Sequence, residues 1–133
     1  LDNQKTGTFA KRDLFKLYVV VHNKKIIYVG QTTQSITIRL NYLAGKPAKN
    51  GYHGYKWKDL RGDLFLYAFV FGKENVSVRE RVNLENIDAE LVYEIRKRTG
   101  FWPEYQHEIH FYHPTSSMQT TALQIFQWLR REI

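Results

Sequence analysis

Two phenols, a guanidinium and a carboxylate stand along this chain, side chains of the types that can work on a phosphate ester. Tyr18 lies in Lys16-Leu17-Tyr18-Val19, and Tyr28 in Ile27-Tyr28-Val29-Gly30-Gln31-Thr32-Thr33. Arg39 follows Tyr28 by eleven residues, and Glu90 sits in Ala89-Glu90-Leu91-Val92-Tyr93. Phosphodiester hydrolysis needs an activated water, neutralised charge on the phosphoryl oxygens and help for the leaving oxygen. Arginine presents a planar fork of donors that matches phosphate geometry and can stabilise charge building up in a transition state. One carboxylate, with waters and the phosphate itself, can hold a hard divalent cation such as Mg²⁺ or Mn²⁺ as a Lewis acid. Singly, each residue has an ordinary reading: tyrosines pack in strands, and helical arginines and glutamates are commonly solvated.

A second group is basic and aromatic. Lys46, Lys49, Lys56, Lys58 and Arg61 interleave with Tyr52, Tyr55 and Trp57. Lysines neutralise phosphates while aromatic rings stack on unpaired bases, so this stretch reads as a nucleic-acid contact; the bland alternative for the rings is anchoring to the core. His107, His110 and His113 recur at every third residue. On a strand the middle one would face away from the other two, and there is no cysteine to join them, so they read as a scattered set rather than a zinc site.

The elements that must position these groups follow from the hydropathy pattern. Leu14 to Val21 is rich in Leu, Val, Phe and Tyr and reads as a strand, His22-Asn23-Lys24-Lys25 as a turn, and Ile26 to Val29 as the returning strand, ended by Gly30. Thr33 or Ser35 is placed to cap a short helix carrying Ile36, Arg39, Leu40 and Leu43. Ala44 to Gly62 is polar, basic and punctuated by glycine, with a short helical turn around Lys56 to Leu60. Asp63 to Phe71 reads as a third strand, apolar on both faces and therefore central. Asp88 reads as the N-cap of a helix running to about Arg98 and stopped by Gly100 and Pro103, with Leu91, Val92 and Ile95 on one face and Glu90, Glu94 and Lys97 on the opposite one. Glu108 to Tyr112 reads as a short extended segment. Ser116 or Ser117 then caps a last helix with Met118, Ala122, Ile125, Phe126 and Leu129 inward. Residues 1–13 read as an N-terminal tail or arm, and 14–133 as a single domain of the α/β class, α+β in type: a small, about three-stranded, mostly antiparallel sheet flanked by helices.

Composition narrows the function classes. Of 133 residues 43% are apolar and 15% aromatic, enough to fill one core and to exclude global disorder. The formal net charge of +7 and pI near 9.6 favour polyanionic partners or serve solubility. The absence of cysteine excludes disulfides, a thiolate zinc site and a cysteine nucleophile, and fits a cytoplasmic, intracellular setting. No stretch approaches the roughly 20 apolar residues of a membrane span, so no membrane partner is expected. Leu1 in place of Met leads to the expectation of a trimmed or excised chain with further domains outside it.

The two tyrosine strings, the arginine and the helical glutamate together resemble the GIY-YIG nuclease family. Lys16-Leu17-Tyr18 stands where that family has Gly-Ile-Tyr, and Tyr28-Val29-Gly30 where it has Tyr-Ile-Gly. The resemblance covers about Phe15 to Gln106 and implies a metal-dependent endonuclease that hydrolyses DNA. It implies Tyr18 as the group taking a proton from water, Tyr28 in support, Arg39 on the phosphate, Glu90 as the ligand of Mg²⁺ or Mn²⁺, and Gln106 as the family's amide beyond the glutamate helix. A phenol, with an ordinary pKa of about 10, serves as a base near neutrality where a cation favours the phenolate. Two positions depart from the pattern: Lys16 replaces the first glycine, and Leu43 stands where members often carry His or Tyr four residues after the arginine. Tyr42 and His53 are the candidates to take over that role. The nucleic-acid-binding residues expected are Lys16, Gln31, Lys46, Lys49, Lys56, Lys58, Arg61 and Gln106. One site cuts one strand at a time, so double-strand cleavage would require a homodimer or two visits. The rivals are a non-catalytic or weakly active nucleic-acid-binding module on the same scaffold, and a basic protein-interaction domain.

Overall fold

The computed structural model describes residues 14–36, 60–71, 82, 86–106 and 115–133. They form an α+β fold: three antiparallel strands and two helices, in the order β1 (Phe15–His22), β2 (Lys25–Thr32), β3 (Leu64–Phe71), α1 (Ile87–Thr99) and α2 (Ser116–Glu132). Sheet order is β2-β1-β3, so β1 is the central strand and β3 lies at an edge. This corrects the expectation that the apolar run of β3 marks it as central. Its first half, Leu64, Phe65 and Leu66, is exposed, whereas β1 is buried from Phe15 to Val21.

The β1–β2 turn is tighter than its polar sequence suggests. Only Asn23 and Lys24 form it, at φ 47° and 66°, the paired positive values of a type I′ turn whose twist suits a hairpin. The tip is fastened to the start of β3: Asn23 N–H donates to Asp63 O at 3.0 Å, and Asp63 N–H donates to Asn23 Oδ1 at 3.3 Å. The second strand does not stop at Gly30 but pairs with β1 as far as Thr32.

Cross-strand partners share a face, so register sorts the sheet into two sides. Leu17, Val19 and Val21 look toward the helices with Val29 and Phe69, and pack on Ile87, Leu91, Val92 and Ile95 of α1 and on Met118, Ala122, Ile125, Phe126 and Leu129 of α2. Trp128 sets its ring edge-on to Tyr67 and Phe69, at 5.7 and 5.5 Å between centroids. The inward residues anticipated for both helices are therefore those that form the core. The caps differ by a residue or two: α1 starts after Asn86 rather than Asp88, and Thr115 caps α2, its side chain accepting from Met118 N–H at 3.2 Å. Gly100 closes α1 as expected, in the left-handed conformation at φ 84°. Among the described residues no helix is long and apolar enough to cross a membrane.

Candidate active site

The other face of the sheet carries the tyrosines. Tyr18, Val20, Ile27 and Ile36 form a second buried cluster, with Tyr28, Leu60, Ala68 and Tyr105 packed against it. Tyr28 is opposite Val20 in register, and Tyr18 is opposite Gly30. A bulge at Ile27 puts that residue and Tyr28 in the same cluster despite their adjacency. The two phenol rings lie 6.0 Å apart at 33°. Two neighbouring phenols on one sheet face are thus a direct product of the hairpin register.

Gly30 is what lets the pair sit this way. A Cβ built on it would clash with the Tyr18 ring at Cζ and the hydroxyl. Tyr18 is only 1% exposed, so it has little room to move aside. Gly30→Ala is therefore expected to destabilise the protein by about 1–3 kcal/mol, as overpacking does in tight interiors, read as a lower denaturation midpoint at unchanged m-value. Unchanged stability would mean that Tyr18 swings clear of the strand.

Lys16 shares this face but not the surface. It is 0% exposed, and its ammonium donates to Leu14 O at 2.9 Å and to Gln34 O at 3.1 Å. A side chain expected on a phosphate thus ties the start of β1 to the segment leaving β2. Gln31 is half-buried opposite Leu17, on the helix side and away from the tyrosines. Gln106 lies along the outer edge of β2, where its Oε1 accepts from Val29 N–H at 3.0 Å and its Nε2 donates to Val29 O at 3.2 Å. With Tyr105 N–H donating to Ile27 O at 2.9 Å, the segment after α1 covers the strand edge nearly as another strand would. Arg61 is exposed, and its carbonyl accepts from His22 Nε2–H at 2.6 Å.

Glu90 stands on α1, on the flank of an apolar stripe that packs against the helix side of the sheet, so its helix lies across the sheet from Tyr18 and Tyr28 and approaches it at β2, the strand that bears Tyr28. Expected on a solvated face, it is 9% exposed, and Glu94 one turn later is 7% exposed. Glu94 is committed to cations, with Arg98 Nε at 2.7 Å and Lys97 Nζ at 4.0 Å. Among the described residues no group of three or more acidic or histidine side chains could hold a metal. A single carboxylate can bind Mg²⁺ where water and phosphate complete the shell, and that is the chemistry a glutamate such as Glu90 offers.

Arg39, Tyr42, His53, Lys46, Lys49, Lys56 and Lys58 lie outside the described residues, as do the N-terminal arm, the three C-terminal histidines and the Glu108 to Tyr112 segment. The described ends of the stretch that holds most of them, Ile36 and Leu60, both pack on the tyrosine face. The sequence missed the inward turn of Lys16 and the edge-covering role of Tyr105. An apolar pattern on both sides of Lys16, Leu14-Phe15 and Leu17 to Val21, was the signal for the first.

Compared with models of known protein families, with curated proteins and with solved structures, the chain matches none of them.

Proposed function

We propose that this chain is a metal-dependent endonuclease that hydrolyses DNA phosphodiester bonds with a GIY-YIG-type site. The observation that carries this reading is the juxtaposition of Tyr18 and Tyr28, rings 6.0 Å apart, on the face to which Ile36 and Leu60 also belong. Arg39 follows Ile36 by three residues, a separation that a chain spans in at most about 11 Å.

Of the two phenols, exposure favours Tyr28 as the one that meets water and phosphate. Tyr28 is half-buried, while Tyr18 is enclosed beneath it against Gly30. In this assignment Tyr28 orients or deprotonates the attacking water, Tyr18 supports its ring, and Arg39 neutralises the phosphoryl oxygens as the bond to the leaving oxygen breaks. Glu90 would hold the divalent cation, which when bound supplies Lewis acidity toward the phosphate. The burial of Tyr18 is also what favours the second reading, a module that keeps the basic scaffold and binds nucleic acid without turning it over.

Incubation with supercoiled plasmid and Mg²⁺ or Mn²⁺ separates the two. Nicked circles are expected with the wild type, prevented by a chelator and slowed about a hundredfold or more by Tyr28→Phe, the usual scale for losing a proton-transfer group. Salt-dependent binding without cutting under either metal would instead identify the module.

A further inference from the structure

The end of α1 carries a cluster that none of the roles above uses. Phe101 is 77% exposed and Trp102 40%, beside the exposed cations Arg96, Lys97 and Arg98. Two adjacent exposed rings make a patch rather than a single scattered side chain, and here the backbone holds them in place. Gly100 N–H donates to Arg96 O at 2.9 Å. Thr99 Oγ1 donates to Ile95 O at 2.7 Å and accepts from Phe101 N–H at 3.2 Å. Trp102 rests edge-on against Tyr93, with centroids 5.8 Å apart, and the Arg96 guanidinium lies over its ring at 5.7 Å. Phe101 thus leaves an ordered turn with its ring in solvent.

We infer that this ridge is a landing site for single-stranded nucleic acid, Phe101 stacking on an unpaired base and Arg96, Lys97 and Arg98 lying along the phosphates; the inference rests on the nucleic-acid reading above. A polyanion is the occupant that suits the charge. Three cations meet one carboxylate within the last turns of the helix, Glu94, already held by Arg98 and Lys97, and Glu104 is the only other charged residue of the turn. An aromatic face offered beside guanidinium groups is how sequence-tolerant single-strand sites gain affinity. Continuity supports it too. Four residues past Phe101 the chain bonds to Ile27, and Gln106 bonds to Val29, so the ridge is fastened to the strand that bears Tyr28. Tyr105 of the same segment packs against the cluster that holds Tyr18.

The test is fluorescence anisotropy with the intact chain, a labelled thymidine strand of about 12 nucleotides and a duplex of equal length. Phe101→Ala should weaken single-strand binding about five- to tenfold and leave duplex binding within about twofold, the scale of losing one stacked base. Because the ring is largely solvated, thermal unfolding should not change. Arg96→Gln with Lys97→Gln should lower the slope of log affinity against log salt by about 0.7 for each phosphate contact removed. Phe101→Ala binding the single strand like wild type, or weakening strand and duplex alike, overturns the ridge while leaving the nuclease reading standing. A wild type that binds neither the single strand nor the duplex removes both.

Discussion

Glu90→Gln should reduce metal-dependent nicking of supercoiled plasmid by at least about a hundredfold, equivalent to roughly 2.7 kcal/mol of transition-state stabilisation. Glutamine keeps the volume and shape of the side chain, so α1 should remain packed through Ile87, Leu91, Val92 and Ile95, which do not include Glu90. What it removes is the negative charge, and a sheltered carboxylate attracts a cation more strongly than one in bulk water. The neighbouring acid, Glu94, is held by Arg98 at 2.7 Å, so the loss is not expected to be made good from there. The measurement is the initial rate of nicked-circle formation across a Mg²⁺ and Mn²⁺ series, with circular dichroism to show that the variant is folded. Nicking at the wild-type rate would show that the metal, if used, is held elsewhere.

Much of the fold could be read because local pattern and tertiary burial agree in it. The core stripe of α2 repeats at helical spacing, and each residue of that stripe is buried. The hairpin was legible from two apolar runs around a polar turn. Strand order was not. A continuous apolar run such as Leu64 to Phe71 is compatible with a central strand, but it says nothing of what lies beside it. Here β1 takes the middle because it pairs with both neighbours, and β3 leaves Phe65 in solvent. Cap positions were missed for a similar reason. Asp88 has the chemistry of an N-cap, yet its Oδ1 accepts from Ala89 N–H at 2.7 Å inside the first turn, while α1 starts one residue after Asn86.

The candidate site was legible in part. Residue types and order pointed to Tyr18 and Tyr28 as a pair, and strand register delivers them to one face. Which phenol meets solvent could not be read, because it depends on what covers the sheet: Ile36, Leu60 and Tyr105 come from three separate stretches of chain. The same limit applies to Glu90 and Glu94. Helical spacing put them away from the core stripe, but away from a stripe is not the same as in water, and both are buried on its flank.

Lys16 gives the sharpest test of how a charge is used here. As a phosphate contact, its removal would lower the salt slope of duplex binding by about 0.9 and leave stability nearly unchanged. Its burial and its bonds to Leu14 O and Gln34 O lead to the opposite expectation. Lys16→Met fills most of the same space but leaves both carbonyls without that donor, which should cost about 1–3 kcal/mol. Lys16→Ala adds a cavity under Tyr18 and β2, for a total of about 3–5 kcal/mol. The competing effect is desolvation of the ammonium, which can make an apolar replacement neutral or even stabilising. Denaturant titration of the three proteins decides which wins, and duplex binding at several salt concentrations, measured where all three remain folded, decides where the charge points. A methionine variant as stable as the wild type, with a shallower salt slope, would return Lys16 to the nucleic acid. Lower stability with an unchanged slope would fix it as the buried tie between the start of β1 and the segment that leaves β2.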